Sequence, residues 1–105
     1  MKVDKNLILQ ELKEIKPAVL KRGISKLALF GSYAKNCQNV YSDIDIAIKK
    51  DRNFLQKFSA YDYFETIEFI KKTLSKKLKR KIDILDLDSK SSTAKKVKKE
   101  AIYVW

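Results

Sequence analysis

Fifteen residues, Gly31-Ser32-Tyr33-Ala34-Lys35-Asn36-Cys37-Gln38-Asn39-Val40-Tyr41-Ser42-Asp43-Ile44-Asp45, restrict this chain more than any other stretch, because they force one order of local structures. The apolar run Leu27-Ala28-Leu29-Phe30 leads directly into Gly31, as a buried strand feeding a tight turn does. Ser32 to about Asn36 reads as a brief helix. Asp43 to Ile48 then sets Asp43, Asp45 and Ala47 against Ile44, Ile46 and Ile48, the period-two pattern of a strand that packs its isoleucine side on a core. The acidic side is expected to look away from that core. Strand, turn, helix and acidic strand therefore follow one another within about twenty residues.

The remaining chain supplies what such a unit needs. Asp4 to Arg22 reads as a helix with Ile8, Leu12, Ile15 and Val19 on one face, which Pro17 is expected to kink or restart and Gly23 to close. Ser25 to Phe30 is the strand before the turn. Ser59 to Leu78 reads as a long helix with a stripe of Phe64, Ile67, Ile70, Leu74 and Leu78. Ile82 to Leu87 is a third strand, Ser91 to Glu100 a short basic helix, and Ala101 to Trp105 a final strand or a helix end. The fold class is α/β (α+β), a mixed sheet of three to four strands flanked by helices. With 105 residues and neither linker nor repeat, 1–105 is expected to be one domain, burying roughly 65% of its unfolded surface.

Strand residues two apart project to one side with Cα atoms about 6.6 Å apart, so Asp43 and Asp45 can converge on a metal ion. Two bare carboxylates so placed repel and tend to hold their protons unless a cation compensates, which suits magnesium. Asp83 interrupts the apolar run Lys81-Ile82-Asp83-Ile84-Leu85, and an adjacent strand would bring it beside the pair. Gly31 permits close backbone approach, and Ser32 opens a helix whose N–H groups and hydroxyl suit phosphate oxygens. The plainer roles are a solvated strand face for the acids and a helix N-cap for Ser32. The turn is not a Walker A loop, because the Gly-Lys-Ser/Thr ending is absent.

Composition narrows the functional classes. The absence of histidine and the single Cys37 argue against a zinc site and exclude an internal disulfide. No run reaches the roughly 18 to 20 apolar residues of a membrane span, and no signal peptide is evident at Met1-Lys2-Val3-Asp4-Lys5, so a cytoplasmic protein is expected. A net charge of +11 invites nucleic acid as a partner. All but three of the 24 basic residues are lysines, the exceptions being Arg22, Arg52 and Arg80. That favours a solvated surface over bidentate readout.

Gly31-Ser32, followed after ten residues by Asp43-Ile44-Asp45, resembles the signature of the DNA polymerase β-type nucleotidyltransferase superfamily, and Leu29-Phe30-Gly31-Ser32-Tyr33-Ala34 with Ser42-Asp43-Ile44-Asp45 resembles the two motif blocks of its minimal branch. The small size resembles its minimal nucleotidyltransferase branch. Lys81-Ile82-Asp83 is similar to the strand carrying that branch's third acid, while Lys35 and Asn36 stand where the branch commonly has Arg and Gly. The resemblance implies that Asp43, Asp45 and Asp83 hold two Mg²⁺ ions, that Gly31 and Ser32 hold the nucleotide's phosphates, and that Asp83 helps activate an attacking hydroxyl. It implies transfer of a nucleoside monophosphate from ATP with release of pyrophosphate. It also implies a partner, since minimal nucleotidyltransferases often pair with a HEPN-domain toxin and act as antitoxins by attaching AMP to a toxin tyrosine. Without histidine this chain cannot carry the HEPN ribonuclease motif itself.

Three other readings stand beside that one. They are an antitoxin that neutralises its toxin by binding alone, a small nucleic-acid-binding module using Lys71 to Lys81 and Lys90 to Lys99, and transfer to a small molecule. For the last the chain is short of room for an acceptor pocket. Tyr33, Tyr41, Tyr61, Tyr63 and Tyr103 read as packing or contact residues, and Trp105 as either a core plug or an exposed contact.

Overall fold

The structure is a computed structural model and describes residues 2–105. The first helix, α1 (Lys5–Lys21), begins where the Asp4 carboxylate accepts the Leu7 N–H at 2.9 Å and satisfies an otherwise free donor. Its buried residues are Ile8, Leu12, Ile15 and Val19, the face given by their spacing. Pro17 does not restart it. Both Pro17 and Lys13 one turn earlier face solvent, so the carbonyl deprived of its donor can meet water while the helix runs on. Gly23 then turns the chain at φ +87°, packed against the Phe54 and Phe58 rings so closely that a Cβ would overlap them.

From that turn β1 (Ile24–Phe30) enters the sheet, and a single helical turn, α2 (Gly31–Ala34), follows it. The acidic strand β2 (Ile44–Lys50) pairs antiparallel with β1. A one-turn helix, α3 (Phe54–Lys57), and the long α4 (Ala60–Leu78) form the crossover to β3 (Ile82–Asp86), which therefore lies parallel to β2. The basic helix α5 (Ser92–Glu100) and the short β4 (Ile102–Tyr103) complete a four-stranded mixed sheet in the order β3-β2-β1-β4. At the start of α4 the Ser59 hydroxyl accepts the Asp62 N–H while the Asp62 carboxylate accepts the Ser59 N–H, a reciprocal cap.

The main core lies between α1, α4 and one face of the sheet, where Leu27, Leu29, Ile44, Ile46, Ile48, Ile70 and Leu74 are fully buried. Two expectations need correction here. Phe64, placed on the α4 stripe by its spacing, is 66% exposed, and Thr66 is buried instead, with Tyr63 turned partly inward beside it. The helix is rotated because the Tyr63 hydroxyl reaches a partner on β3, Asp86 Oδ2 at 2.7 Å. The second correction concerns Ala47, expected on an open acidic side. It is fully buried with Ala28, Leu87 and Val97 in a smaller cluster under α5. Small side chains at Ala28 and Ala47, directly opposite one another, leave room for that helix. Trp105 packs its ring partly buried against the main core, with the Lys16 ammonium 5.6 Å from the ring centre.

Candidate active site

Phe30 ends β1 in an extended conformation, and Gly31 turns into α2 at φ +77°, a region that favours glycine. A Cβ at Gly31 would overlap the Asp45 carboxylate, so the absent side chain is what lets the turn lie against that acid. Phe30 occupies the cap position of α2 and the turn has no side-chain cap, so Ser32 is not the cap residue. Tyr33 is buried in the core and anchors the turn from beneath. Packing thus holds the Gly-Ser turn and leaves the Ser32 hydroxyl free for another task.

The sheet register brings two of the three aspartates side by side. Asp45 lies opposite Phe30 on β1 and opposite Asp83 on β3. Asp43 stands immediately before β2, its side chain 40% exposed and 3.9 Å from the Lys81 ammonium. No cation is within ion-pair reach of Asp45 or Asp83 among the described residues. Partial burial, then the Asp83 charge, then the Asp43 charge hold the Asp45 carboxyl above its ordinary 3.8. Three mutually repelling carboxylates, of which only Asp43 has a cation in reach among the described residues, are hard oxygen donors that fit a divalent metal in kind. Among the described residues, however, no three acidic, cysteine or histidine side chains are drawn close enough to clasp an ion by themselves.

A cavity of about 190 Å³ opens beside this turn, lined by Phe30, Gly31, Ala34, Lys35, Lys96 and Glu100. It is smaller than the roughly 300 Å³ at which small-molecule pockets begin, so it can take part of a nucleotide and not the whole. Lys35 is held 3.6 Å from Glu100 across its mouth. The contributions of Lys96 and Glu100 were not visible in the sequence. They come from a helix whose lysines all look alike until α5 is laid over the sheet.

Chemically, a glycine turn with a serine hydroxyl beside carboxylates that lack a cation has the kinds of group that metal-assisted nucleotidyl transfer uses. The chain belongs to the polymerase beta nucleotidyltransferase family, whose sequence profile matches residues 10–105, and it is accordingly a nucleotidyltransferase. It is 37% identical over 106 residues to MJ1379 of Methanocaldococcus jannaschii, assigned as a protein adenylyltransferase, covering 91% of this chain and 97% of that one. It is similar in fold to the crystal structure of a toxin–antitoxin pair with AMP-PNP, with a TM-score of 0.62 and 25% identity over 98% of this chain and 73% of the other. It also matches a structure assigned as a minimal nucleotidyltransferase, with a TM-score of 0.70, 19% identity and 95% of each chain covered, a likeness of fold. No helix among the described residues is long and apolar enough to cross a membrane.

Proposed function

We propose that this chain is a Mg²⁺-dependent nucleotidyltransferase of 105 residues in one domain that moves AMP from ATP to a HEPN-domain toxin and thereby acts as its antitoxin. One observation carries the catalytic part. Asp45, flanked by Asp83 and touching the backbone of Gly31, is left without a cation of its own among the described residues. A carboxylate in that position is costly to the fold and useful to a metal-assisted reaction.

Asp43, Asp45 and Asp83 are the residues that would hold the metal, two ions in this reading. When bound, the ions neutralise the phosphates and make the acceptor hydroxyl easier to deprotonate. Gly31 and Ser32 bind the outer phosphates through backbone N–H and hydroxyl. Asp83 orients the acceptor hydroxyl, whose oxygen forms a bond to the α-phosphorus as the bond from that phosphorus to the bridging oxygen breaks. Pyrophosphate leaves, and the hydroxyl proton passes to a carboxylate or to water. The acceptor is a tyrosine of the toxin, supplied by a partner because the cavity at Gly31 is too small to enclose one along with the nucleotide. Similarity to a protein adenylyltransferase and to a toxin–antitoxin pair with AMP-PNP supports the choice of ATP and of a protein acceptor.

Incubation with ATP labelled at the α-phosphate, Mg²⁺ and the product of the neighbouring gene should label that product, whereas ATP labelled at the γ-phosphate should not. Asp43→Ala should abolish the labelling. Neutralisation of the toxin that persists in Asp43→Ala and Asp45→Asn, with no label transferred by the wild type, would establish the binding-only alternative instead.

A further inference from the structure

A second cavity lies at the opposite end of β1 and β2 from the three aspartates. It measures about 720 Å³, and its cationic lining is Lys26, Lys49, Lys50 and Arg52 over Phe54 and Leu55. Lys26 and Lys49 are directly opposite in the antiparallel ladder. Like charges so placed destabilise a sheet. Lys50 is neutralised by Asp86 at 2.7 Å and Asp88 at 3.8 Å, but Lys26, Lys49 and Arg52 have no acid within ion-pair reach among the described residues. Asp51 also lines the cavity and ion-pairs with none of them. On α4 Lys77 is spent on Glu11 and Glu14 of α1, whereas Lys72 and Lys76 stand on its exposed face and are not among the residues that line this cavity.

The uncompensated charge continues beyond the cavity. The Lys26 ammonium stands 5.5 Å from the centre of the Tyr103 ring, and the Tyr103 hydroxyl donates to the Lys98 carbonyl at 3.0 Å, which brings the lysines of α5 alongside. Lys26 thus belongs both to the cavity and to the Tyr103 surface beside α5, so the basic surface continues past the cavity and is more extended than a site for a single phosphate requires. The Tyr103 ring, 40% exposed, offers a flat face on that surface. Bases stack on such rings while lysines follow the backbone, the combination that single-stranded nucleic acid uses. An acidic peptide would meet the cations but has no use for the ring.

We propose that this cavity and the adjoining Tyr103 form a second binding site, separate from the nucleotidyl-transfer centre, that takes the phosphate backbone of a single-stranded nucleic acid without reading its sequence. The site accounts for a lysine pair that the fold would be more stable without.

The test is fluorescence anisotropy of the full chain with a labelled twelve-nucleotide oligouridylate at 50 and 200 mM NaCl. Lys26→Gln with Lys49→Gln should weaken binding about 10-fold or more at 50 mM and reduce the salt slope by about 1.4, about 0.7 for each lysine that no longer neutralises a phosphate of a single strand. Lys72→Gln with Lys76→Gln, on the exposed face of α4, should leave binding unchanged. Lys49→Gln should also raise the urea midpoint, because it removes the cross-strand repulsion. Absence of binding at 50 mM NaCl, equal weakening in the two double variants, or displacement by tripolyphosphate or a polyglutamate peptide as effective as by unlabelled RNA would each overturn the proposal.

Discussion

The paired strands β2 and β3 carry two groups of aspartates that meet opposite fates. At one end Asp45 and Asp83 lie side by side and Asp43 stands nearby, with no cation for Asp45 or Asp83 among the described residues, and Asp45 keeps its proton more readily than a free carboxyl does. Further along the ladder, on the other face, Asp86 accepts from Lys50 and from Tyr63, each at 2.7 Å, and from the Asp88 N–H at 2.8 Å. Burial opposes its charge, but these donors outweigh burial and hold the carboxyl below 3.8. Asp86 is a carboxylate the fold completes by itself. Asp45 is one the fold leaves without a cation among the described residues, as the proposed metal site requires.

Asp45→Asn breaks the comparison most severely if it is wrong. The amide keeps the shape, loses the charge that a metal needs, and ends the repulsion with Asp83. Transfer activity should fall by about 10²–10³-fold or more, while the urea midpoint stays level or rises. A drop in stability without a drop in activity would make Asp45 a structural residue like Asp86. Gly31→Ala attacks the same end through the backbone. The methyl group would displace the Asp45 carboxylate, and φ +77° costs an L-residue about 1–2 kcal/mol, so activity should fall about 10²-fold with a moderate loss of stability.

At the compensated end Lys50→Met should do the reverse. It leaves Asp86 mostly buried, its side chain 21% exposed, without its cation. Unfolding free energy should fall by about 1–3 kcal/mol with nucleotidyl transfer retained within about two-fold. Tyr63→Phe removes one of three donors and should cost about 1 kcal/mol. Urea titrations alongside transfer assays separate these variants from those at Asp45.

How much of this contrast was legible in the sequence depends on what each residue signals alone. The order of strand, turn and acidic strand could be read because periodicity and glycine carry it locally, and Asp83 could be placed beside Asp45 because an acid in an apolar strand stands out. The register that sets Asp83 opposite Asp45 was not legible, because a crossover fixes a strand's direction and only packing fixes its register. Asp86 gave no such signal, for its partners lie 36 residues away at Lys50 and 23 away at Tyr63. The same hydrogen bond explains why the α4 stripe was misjudged, since reaching β3 turned Tyr63 inward and Phe64 out. Ala47 was misread because alanine marks no face, and burial on the second side depends on a helix half the chain away. The one-turn α3 is too short to show any period, and the packing of Phe54 against Gly23, Phe58 and Tyr63 secures it.

The smallest effect sharpens the comparison by pH. With its carboxyl held below 3.8, Asp86 binds a proton later in the folded state than in the unfolded chain. The stability it contributes is therefore complete above about pH 4 and is lost as pH falls through the folded value. Tyr63 acts at the other extreme, because burial and the Asp86 carboxylate it donates to push its phenol above 10.0. The folded state keeps that proton longer, so this contribution is present below about pH 10 and declines as pH rises further. The pair should hold β3 to α4 fully between about pH 4 and about pH 10. Urea midpoints of the wild type and Asp86→Asn, compared at about pH 7 and about pH 3, should differ at neutral pH and draw together in acid. A gap that stays constant into acid would mean that the shape of Asp86, and not its charge, supports the strand, and the electrostatic contrast with Asp45 would no longer hold.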